Sequence, residues 1–191
     1  MRIAVSGTHG SGKSTLIEDF VAAHRDYVHE PEPYEWLQDV YGEGVAEEPD
    51  VDDFYRQLEL SVDRLREYGP GARVIIERSP LDFLAYVLAL TDLGRAGRDC
   101  SAIASAVERV AAGMANVDLL VLLPLNEADR IEVPESEDLE LREVMNDRLL
   151  DLVAADPYSL LASGRPRIVE IAGTRQQRLR RLEQAVAELS A

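Results

Sequence analysis

The sequence predicts an α/β fold of three layers, in which one parallel five-stranded sheet lies between helices. Short apolar runs alternate along the chain with segments of helical periodicity, the order from which parallel sheets are built. The runs at 72–77 and 118–123 are apolar almost throughout, as expected of strands buried on both faces. The first run, Arg2-Ile3-Ala4-Val5-Ser6, passes straight into a glycine-rich loop and then into an amphipathic helix carrying Leu16, Ile17, Phe20 and Val21.

That loop, Gly7-Thr8-His9-Gly10-Ser11-Gly12-Lys13-Ser14-Thr15, satisfies the spacing GxxxxGK[ST] of a phosphate-binding loop. Glycines let the backbone turn tightly and bring its N–H groups against phosphate oxygens, where a Cβ would obstruct. Lys13 adds a positive charge, and the hydroxyl of Ser14 is placed to bind Mg2+. The helix that starts there points its positive dipole end at the same phosphates. Lys13 is also the only lysine in the chain; the other basic side chains that are always charged are arginines.

The 191 residues suit a single domain, 1–191, with ordinary globular composition: 46% hydrophobic and 29% charged. Acidic residues outnumber Lys and Arg by 36 to 20, for a formal charge of −16, which disfavours nucleic acid as a partner. The densest arginine group, Arg175, Arg178, Arg180 and Arg181, is followed by Glu183 and Glu188 and reads as a solvated helix face. Cys100 stands alone, which excludes an intramolecular disulfide and suits a reducing compartment. No apolar run approaches the roughly 20 residues of a membrane span, and the phosphate loop occupies the place of a signal peptide. The expectation is a cytoplasmic protein with no membrane partner.

Beyond the first helix, which should end near Arg25, a short second strand is expected at 26–29. Glu30-Pro31-Glu32-Pro33-Tyr34-Glu35-Trp36 follows, and its two prolines predict an irregular segment at the strand end, which is the ligand edge of a parallel sheet. Glu30 or Glu32 could then act as general base or hydroxyl clamp, with Trp36 or Tyr34 beside the substrate. Alternatively the acids are solvated and Trp36 fills a core corner. Residues 42–50 read as a connection, after which Asp50 or Asp52 can cap a helix bearing Val51, Phe54, Tyr55, Leu58, Val62 and Leu65, stopped by Gly69-Pro70-Gly71.

The strand at 72–77 ends in Glu77, followed by Arg78-Ser79-Pro80. An acid ending a buried strand beside a phosphate loop can hold the Mg2+ shell; a capping or salt-bridged acid is the alternative. Pro80 suits a first helical turn, and 81–93 should be a buried helix in which Asp82 either contacts substrate or favours the helix start. An alanine-rich helix follows at 101–112, and dimerisation through the helices of 81–112 is possible. The fourth strand, 118–123, closes at Pro124. A weakly apolar segment then leads into a helix with Leu141, Val144, Leu149 and Leu152. Arg130, Arg142 and Arg148 stand among nine acids between Glu127 and Asp147, either as mobile arginines of a lid over about 125–142 or as surface partners of those acids. The fifth strand is 167–171. Gly173-Thr174 then turns into a helix striped with Leu179, Leu182, Val186 and Leu189; this loop borders a purine or simply caps the helix.

With these elements placed, the chain resembles the P-loop kinases of small molecules, within the nucleoside and nucleotide kinase group. Residues 30–36 are similar to the Glu-Pro segment after the second strand of deoxynucleoside kinases, and Glu77-Arg78-Ser79 matches their Glu-Arg-Ser motif. Residues 77–86 also resemble the AAA-type domains that include ribosylnicotinamide kinases, with an acid-Arg pair, Pro-Leu-Asp and Ala-Tyr. The resemblance implies the three-layer P-loop NTPase fold with strand order 2-3-1-4-5, and transfer of the γ-phosphate of Mg2+-bound ATP to a nucleoside, nucleotide or related small molecule. It further implies Glu32 or Glu30 as the base, Glu77 near Mg2+, Arg78 at the transferred phosphate and Arg130 or Arg142 in the lid. The Glu-Pro to Trp spacing departs from the deoxynucleoside kinase pattern, and the lid is unusually acidic.

Two other readings compete. A GTP-dependent switch would use Asn126-Glu127-Ala128-Asp129, but Glu127 stands where a lysine should pack along the base, and no Asp-x-x-Gly follows the Ile75 strand. A regulatory ATP-binding module would share the phosphate loop but need no acceptor pocket.

Overall fold

The computed structural model describes residues 1–41, 50–97, 99–126, 138–162 and 164–190. Among them are five strands and seven helices. The strands are β1 (Arg2–Ser6), β2 (Val28–Glu30), β3 (Val74–Glu77), β4 (Leu119–Leu122) and β5 (Arg167–Glu170). The helices are α1 (Lys13–Ala23), α2 (Pro33–Tyr41), α3 (Val51–Glu67), α4 (Pro80–Asp92), α5 (Cys100–Met114), α6 (Leu139–Ala154) and α7 (Arg175–Ser190). The strands form one sheet in the order β2-β3-β1-β4-β5 with every pairing parallel, as the resemblance implies.

Because side chains alternate along a strand, each central strand feeds two cores. Ala4, Ile76, Leu120 and Leu122 face the packed side chains of α3, α4, α5 and α6, including Leu58, Val62, Phe83, Leu84 and Leu149. Ile3, Val5, Ile75, Leu119 and Val121 face Leu16, Ile17 and Phe20 of α1 and Leu182 and Val186 of α7. This gives the three layers, with the sheet in the middle. The parallel register brings the C-terminal ends of β1, β3 and β2 to one edge, so Ser6, Glu77 and Glu30 end there together.

One feature of the fold departs from the sequence expectation, and others decide between readings the sequence left open. The segment after β2 is not irregular throughout: α2 begins at Pro33, because proline lacks only an N–H that a first helical turn leaves unpaired anyway. Asp50, rather than Asp52, caps α3, accepting from the N–H groups of Asp52 and Asp53 in a reciprocal capping box. α4 is buried along most of its length, so of the two helices expected at a dimer interface only α5 turns residues such as Ser101, Ala104 and Glu108 outward. The connection at 42–49 and residues 127–137 of the expected lid, with Arg130, lie outside the described residues, as do the last three residues of the Asn-x-x-Asp segment.

Gly113 marks the junction of α3, α4 and α5. A Cβ there would lie 3.0 Å from Cγ of Pro80 and 3.0 Å from Cγ2 of Val62. Gly113→Ala is therefore expected to lower the urea midpoint of unfolding, because overpacking of about 1–3 kcal/mol exceeds the helix-propensity gain of up to about 1 kcal/mol. A raised midpoint would show that the three helices separate freely.

Candidate functional site

The loop between β1 and α1 is built by its neighbours as much as by itself. A Cβ on Gly7 would stand 2.6 Å from the Ser11 hydroxyl and 2.7 Å from the Leu123 carbonyl oxygen, so no side chain fits. Gly12 precedes α1 with φ of 89°, a left-handed conformation that glycine adopts freely. Arg142 donates from Nε to the carbonyl oxygen of His9 at 2.8 Å and from Nη2 to that of Gly10 at 3.4 Å, and Arg178 donates from Nη1 to that of Ser11 at 2.6 Å. In a trans peptide the N–H points opposite to the C=O, so these anchors turn the following N–H groups away from the two arginines. The hydroxyls of Thr8 and Ser11 are buried with no hydrogen-bond partner among the described residues, which suits a loop whose polar groups bind an oxyanion.

Lys13 opens α1 and is 4% exposed. Its Nζ donates to the Thr8 carbonyl at 3.2 Å and lies 3.8 Å from Oε1 of Glu32. The other oxygen of Glu32, Oε2, is 2.9 Å from Nε of Arg78. One carboxylate thus joins two buried cations. Burial alone would push the Glu32 carboxyl up, but Arg78 and then Lys13 outweigh it and hold it at about 2. Burial is the main cause that brings the Lys13 ammonium down to about 8; Arg78 adds to this, and Glu32, Asp82 and Glu77 partly oppose it.

Arg78 reaches this position through an unusual backbone, with φ of 66° between the end of β3 and the start of α4. Such a conformation costs a non-glycine residue about 1–3 kcal/mol and persists only where surrounding contacts hold it. Here Nη1 donates to the Gly7 carbonyl at 3.2 Å and lies 3.9 Å from Oδ1 of Asp82. Asp82 is fully buried and does two jobs: Oδ1 accepts the Gly7 N–H at 2.9 Å, and Oδ2 accepts the Ser79 N–H at 2.9 Å in the capping box of α4. Asp82 thus starts the helix, one of its two readings, and also carries the phosphate loop.

Ser14 donates from Oγ to Oε1 of Glu77 at 2.8 Å, while Nε2 of His29 lies 3.7 Å from Oε2. A hydroxyl and a carboxylate at the mouth of the loop form a hard-oxygen donor pair of the kind that suits Mg2+, which usually takes its other ligands from water and phosphate oxygens.

The two candidate bases separate clearly. Glu30, 4% exposed, binds Arg64 of α3 in a fork, at 2.6 Å to Nε and 3.0 Å to Nη2, and also accepts the Tyr68 hydroxyl. The guanidinium of Arg64 in turn lies 4.3 Å from the centre of the Trp36 ring. Glu30 therefore ties β2 to α3, and Glu32 is the acid that faces Lys13. Trp36 is half-buried beneath Arg64 rather than filling the core.

A family profile described as AAA domain matches residues 2–178. The chain belongs to that family. No curated protein matches the sequence. Among solved structures, it is similar over its whole length, and over the whole length of the other chain, to deoxyadenosine kinase from M. mycoides with bound dATP, at TM-score 0.65 and 16% identity. It is similar to thymidylate kinase from Candida albicans at TM-score 0.64 and 15% identity, covering 99% of this chain and 92% of that one. NadR protein in complex with NAD and AMP-PNP matches at TM-score 0.60 and 18% identity over 99% of this chain, which spans 49% of NadR. These likenesses establish the P-loop kinase fold for this AAA-domain chain.

Of the late arginines, Arg148 pairs with Asp92 and Asp151 on the surface, the less functional of its two readings. Arg142 binds the phosphate loop itself. Arg178 corrects the view of 175–181 as a solvated face: Arg175, Arg180 and Arg181 are exposed, but Arg178 is 5% exposed and joins the Ser11 carbonyl to that of Gly173, the latter at 2.9 Å from Nε. The signal was available, since Arg178, Leu182, Ala185 and Val186 share one helical stripe. Thr174 bonds reciprocally with Gln177, its N–H donating to Oε1 at 2.9 Å, as expected of a residue that starts a helix. Among the described residues, no helix is long and apolar enough to cross a membrane.

Glu32 carries a stability prediction. Its folded pKa lies below the ordinary 4.5, at about 2, so its ionised form stabilises the native state above 4.5 and loses that contribution as pH falls toward 2. Glu32→Gln should be less stable than wild type in urea at about pH 6, with the gap narrowing below about pH 4. A gap that widens in acid would contradict the ion pairing.

Proposed function

We propose that this chain is an ATP-dependent small-molecule kinase, which moves the γ-phosphate of Mg2+-bound ATP to an acceptor hydroxyl. The observation that carries the reading is the placement of Glu32, an ionised carboxylate within 3.8 Å of Lys13 and 2.9 Å of Arg78. A carboxylate held on the two cations that face the phosphate loop is within reach both of a transferring phosphoryl group and of the hydroxyl that attacks it.

The kinase fold of the solved neighbours supports this reading, as does the binding of dATP and AMP-PNP by two of them. The N–H groups of the loop from Gly7 to Thr15 would cradle the β- and γ-phosphates, and the Gly173-Thr174 turn, tied to the loop through Arg178, would border the purine. Ser14 and Glu77 would hold Mg2+, which when bound neutralises phosphate charge. An arriving γ-phosphate competes with Glu32 for Lys13 and Arg78, and the released carboxylate turns to the acceptor. The acceptor oxygen bonds to the γ-phosphorus as the bond to the ADP oxygen breaks, and the hydroxyl proton passes to Glu32. Lys13 and Arg78 stabilise the charge that spreads over the transferring group. Arg142, fixed to the loop carbonyls, positions that loop, and Trp36 forms part of the acceptor wall.

Mg2+-dependent ADP release stimulated by one hydroxyl compound, with a phosphorylated product of the expected mass, tests the proposal directly. ATP binding without acceptor-dependent turnover would favour a regulatory nucleotide-binding module instead. Glu32→Gln should slow transfer by about 10²–10⁴-fold while a non-hydrolysable ATP analogue binds at least as tightly, because the competitor of its γ-phosphate for the two cations is weakened. Weaker binding of that analogue by the variant would reject the competition. Lys13→Ala should nearly abolish transfer with the fold retained. In wild type, ADP affinity should fall as pH rises through about 8, where Lys13 loses its charge, and a flat profile would show that Lys13 does not bear on the nucleotide.

A further inference from the structure

We propose that the acceptor carries no phosphate or carboxylate of its own, so that the site takes neutral or cationic hydroxyl compounds and rejects phosphomonoesters. This rests on the transfer reading above and narrows it. With the donor on the β1 loop and toward the β5 end of the sheet, the order β2-β3-β1-β4-β5 leaves the ends of β3 and β2, with α2 and α3, for the acceptor. An acceptor anion buried there would need a guanidinium or ammonium free to bind it.

Among the described residues, the arginines on that side are already engaged. Arg64 forks onto Glu30, bonds Glu67 and covers the Trp36 ring. Releasing it to an acceptor phosphate would leave Glu30 buried and uncompensated, which is strongly unfavourable. Arg78 faces the donor loop, bonded to the Gly7 carbonyl, and exchanges Glu32 only for the γ-phosphate of the donor. Arg56 also has a partner. The sequence of the described residues here points the same way. From Val28 to Gln38, where β2 runs into α2, the chain has Glu30, Glu32 and Glu35 and no Lys or Arg. The Tyr34 hydroxyl is pushed up first by burial and then by Glu32, Glu35 and Glu77, with Arg78 partly opposing them. A dianionic phosphate entering here meets repulsion at every step, whereas a neutral riboside does not and a cationic one is attracted.

Trp36 is the only tryptophan, so its fluorescence reports on this wall without a label. The whole protein, with Mg2+-ADP filling the donor side, would be titrated with matched probes: thymidine against thymidine 5′-monophosphate, adenosine against adenosine 5′-monophosphate, and a pyridinium riboside against its 5′-monophosphate. Phosphate-free probes should bind about a hundredfold more tightly than their monophosphates at low ionic strength, with the ratio shrinking as salt is added. The exposed charge reversal Glu35→Lys should also shrink it. A monophosphate that binds as tightly as its phosphate-free partner would overturn the inference, and so would a ratio insensitive to both salt and Glu35→Lys. Repeating the titrations with ATP separates the two claims: a riboside that quenches Trp36 but is never phosphorylated defeats the transfer reading and leaves the charge selectivity standing.

Discussion

The structure depends on burying two cations, Lys13 and Arg78, side by side at the end of the central strands. Taking an ion out of water costs several kcal/mol even after relaxation, and two like charges together cost more. The cost is offset locally. Glu32 bridges the pair, Asp82 lies 3.9 Å from Arg78, and the carbonyls of Thr8 and Gly7 accept from the two side chains. Each compensating group needs a fixed support. Asp82 is locked by the Gly7 and Ser79 N–H groups, and Glu32 sits between β2 and a helix whose first residue is a proline. The left-handed backbone of Arg78 follows from the same requirement, because the side chain must turn back over the loop rather than continue along β3.

This arrangement makes the phosphate loop a product of the whole sheet. Gly7 is held by α4 through Asp82, the carbonyls of His9 and Gly10 by α6 through Arg142, and that of Ser11 by α7 through Arg178. These helices lie on both faces of the sheet, so both cores must form before the loop has its shape. A pre-formed loop loses less freedom when a ligand arrives, which favours binding.

The fold was legible because its signals are local. Apolar runs bounded by glycine or proline, a loop motif of fixed spacing and capping acids each sit within a few residues of what they specify. The site was legible only where its chemistry is also local, as in Gly7 to Thr15 and Glu77-Arg78. The roles of Glu30 and Glu32 could not be read from their spacing, since two adjacent Glu-Pro pairs look alike until Arg64 and Tyr68, more than thirty positions away, claim one of them. Pro33 was misleading because proline ends a helix from within yet starts one from its first turn. Arg178 was hidden by its charged neighbours, although its helical stripe marked it as buried.

The distribution of lysine and arginine follows from the same chemistry. Arg142 and Arg178 each bind two carbonyls at once, and Arg64 grips both oxygens of one carboxylate, tasks for a planar fork with several fixed donors. Lys13 has a different task. Its compact ammonium is buried, bonds the single carbonyl of Thr8 and faces one oxygen of Glu32 at 3.8 Å. A point charge with rotatable donors meets these two partners, whereas a guanidinium would bring five donors in a rigid fork into a buried site. Arg78 can stay an arginine because it enters from β3, outside the loop, and is held by Glu32 and Gly7 together. The single lysine of the chain therefore stands at the position where a point charge serves and a fork would not.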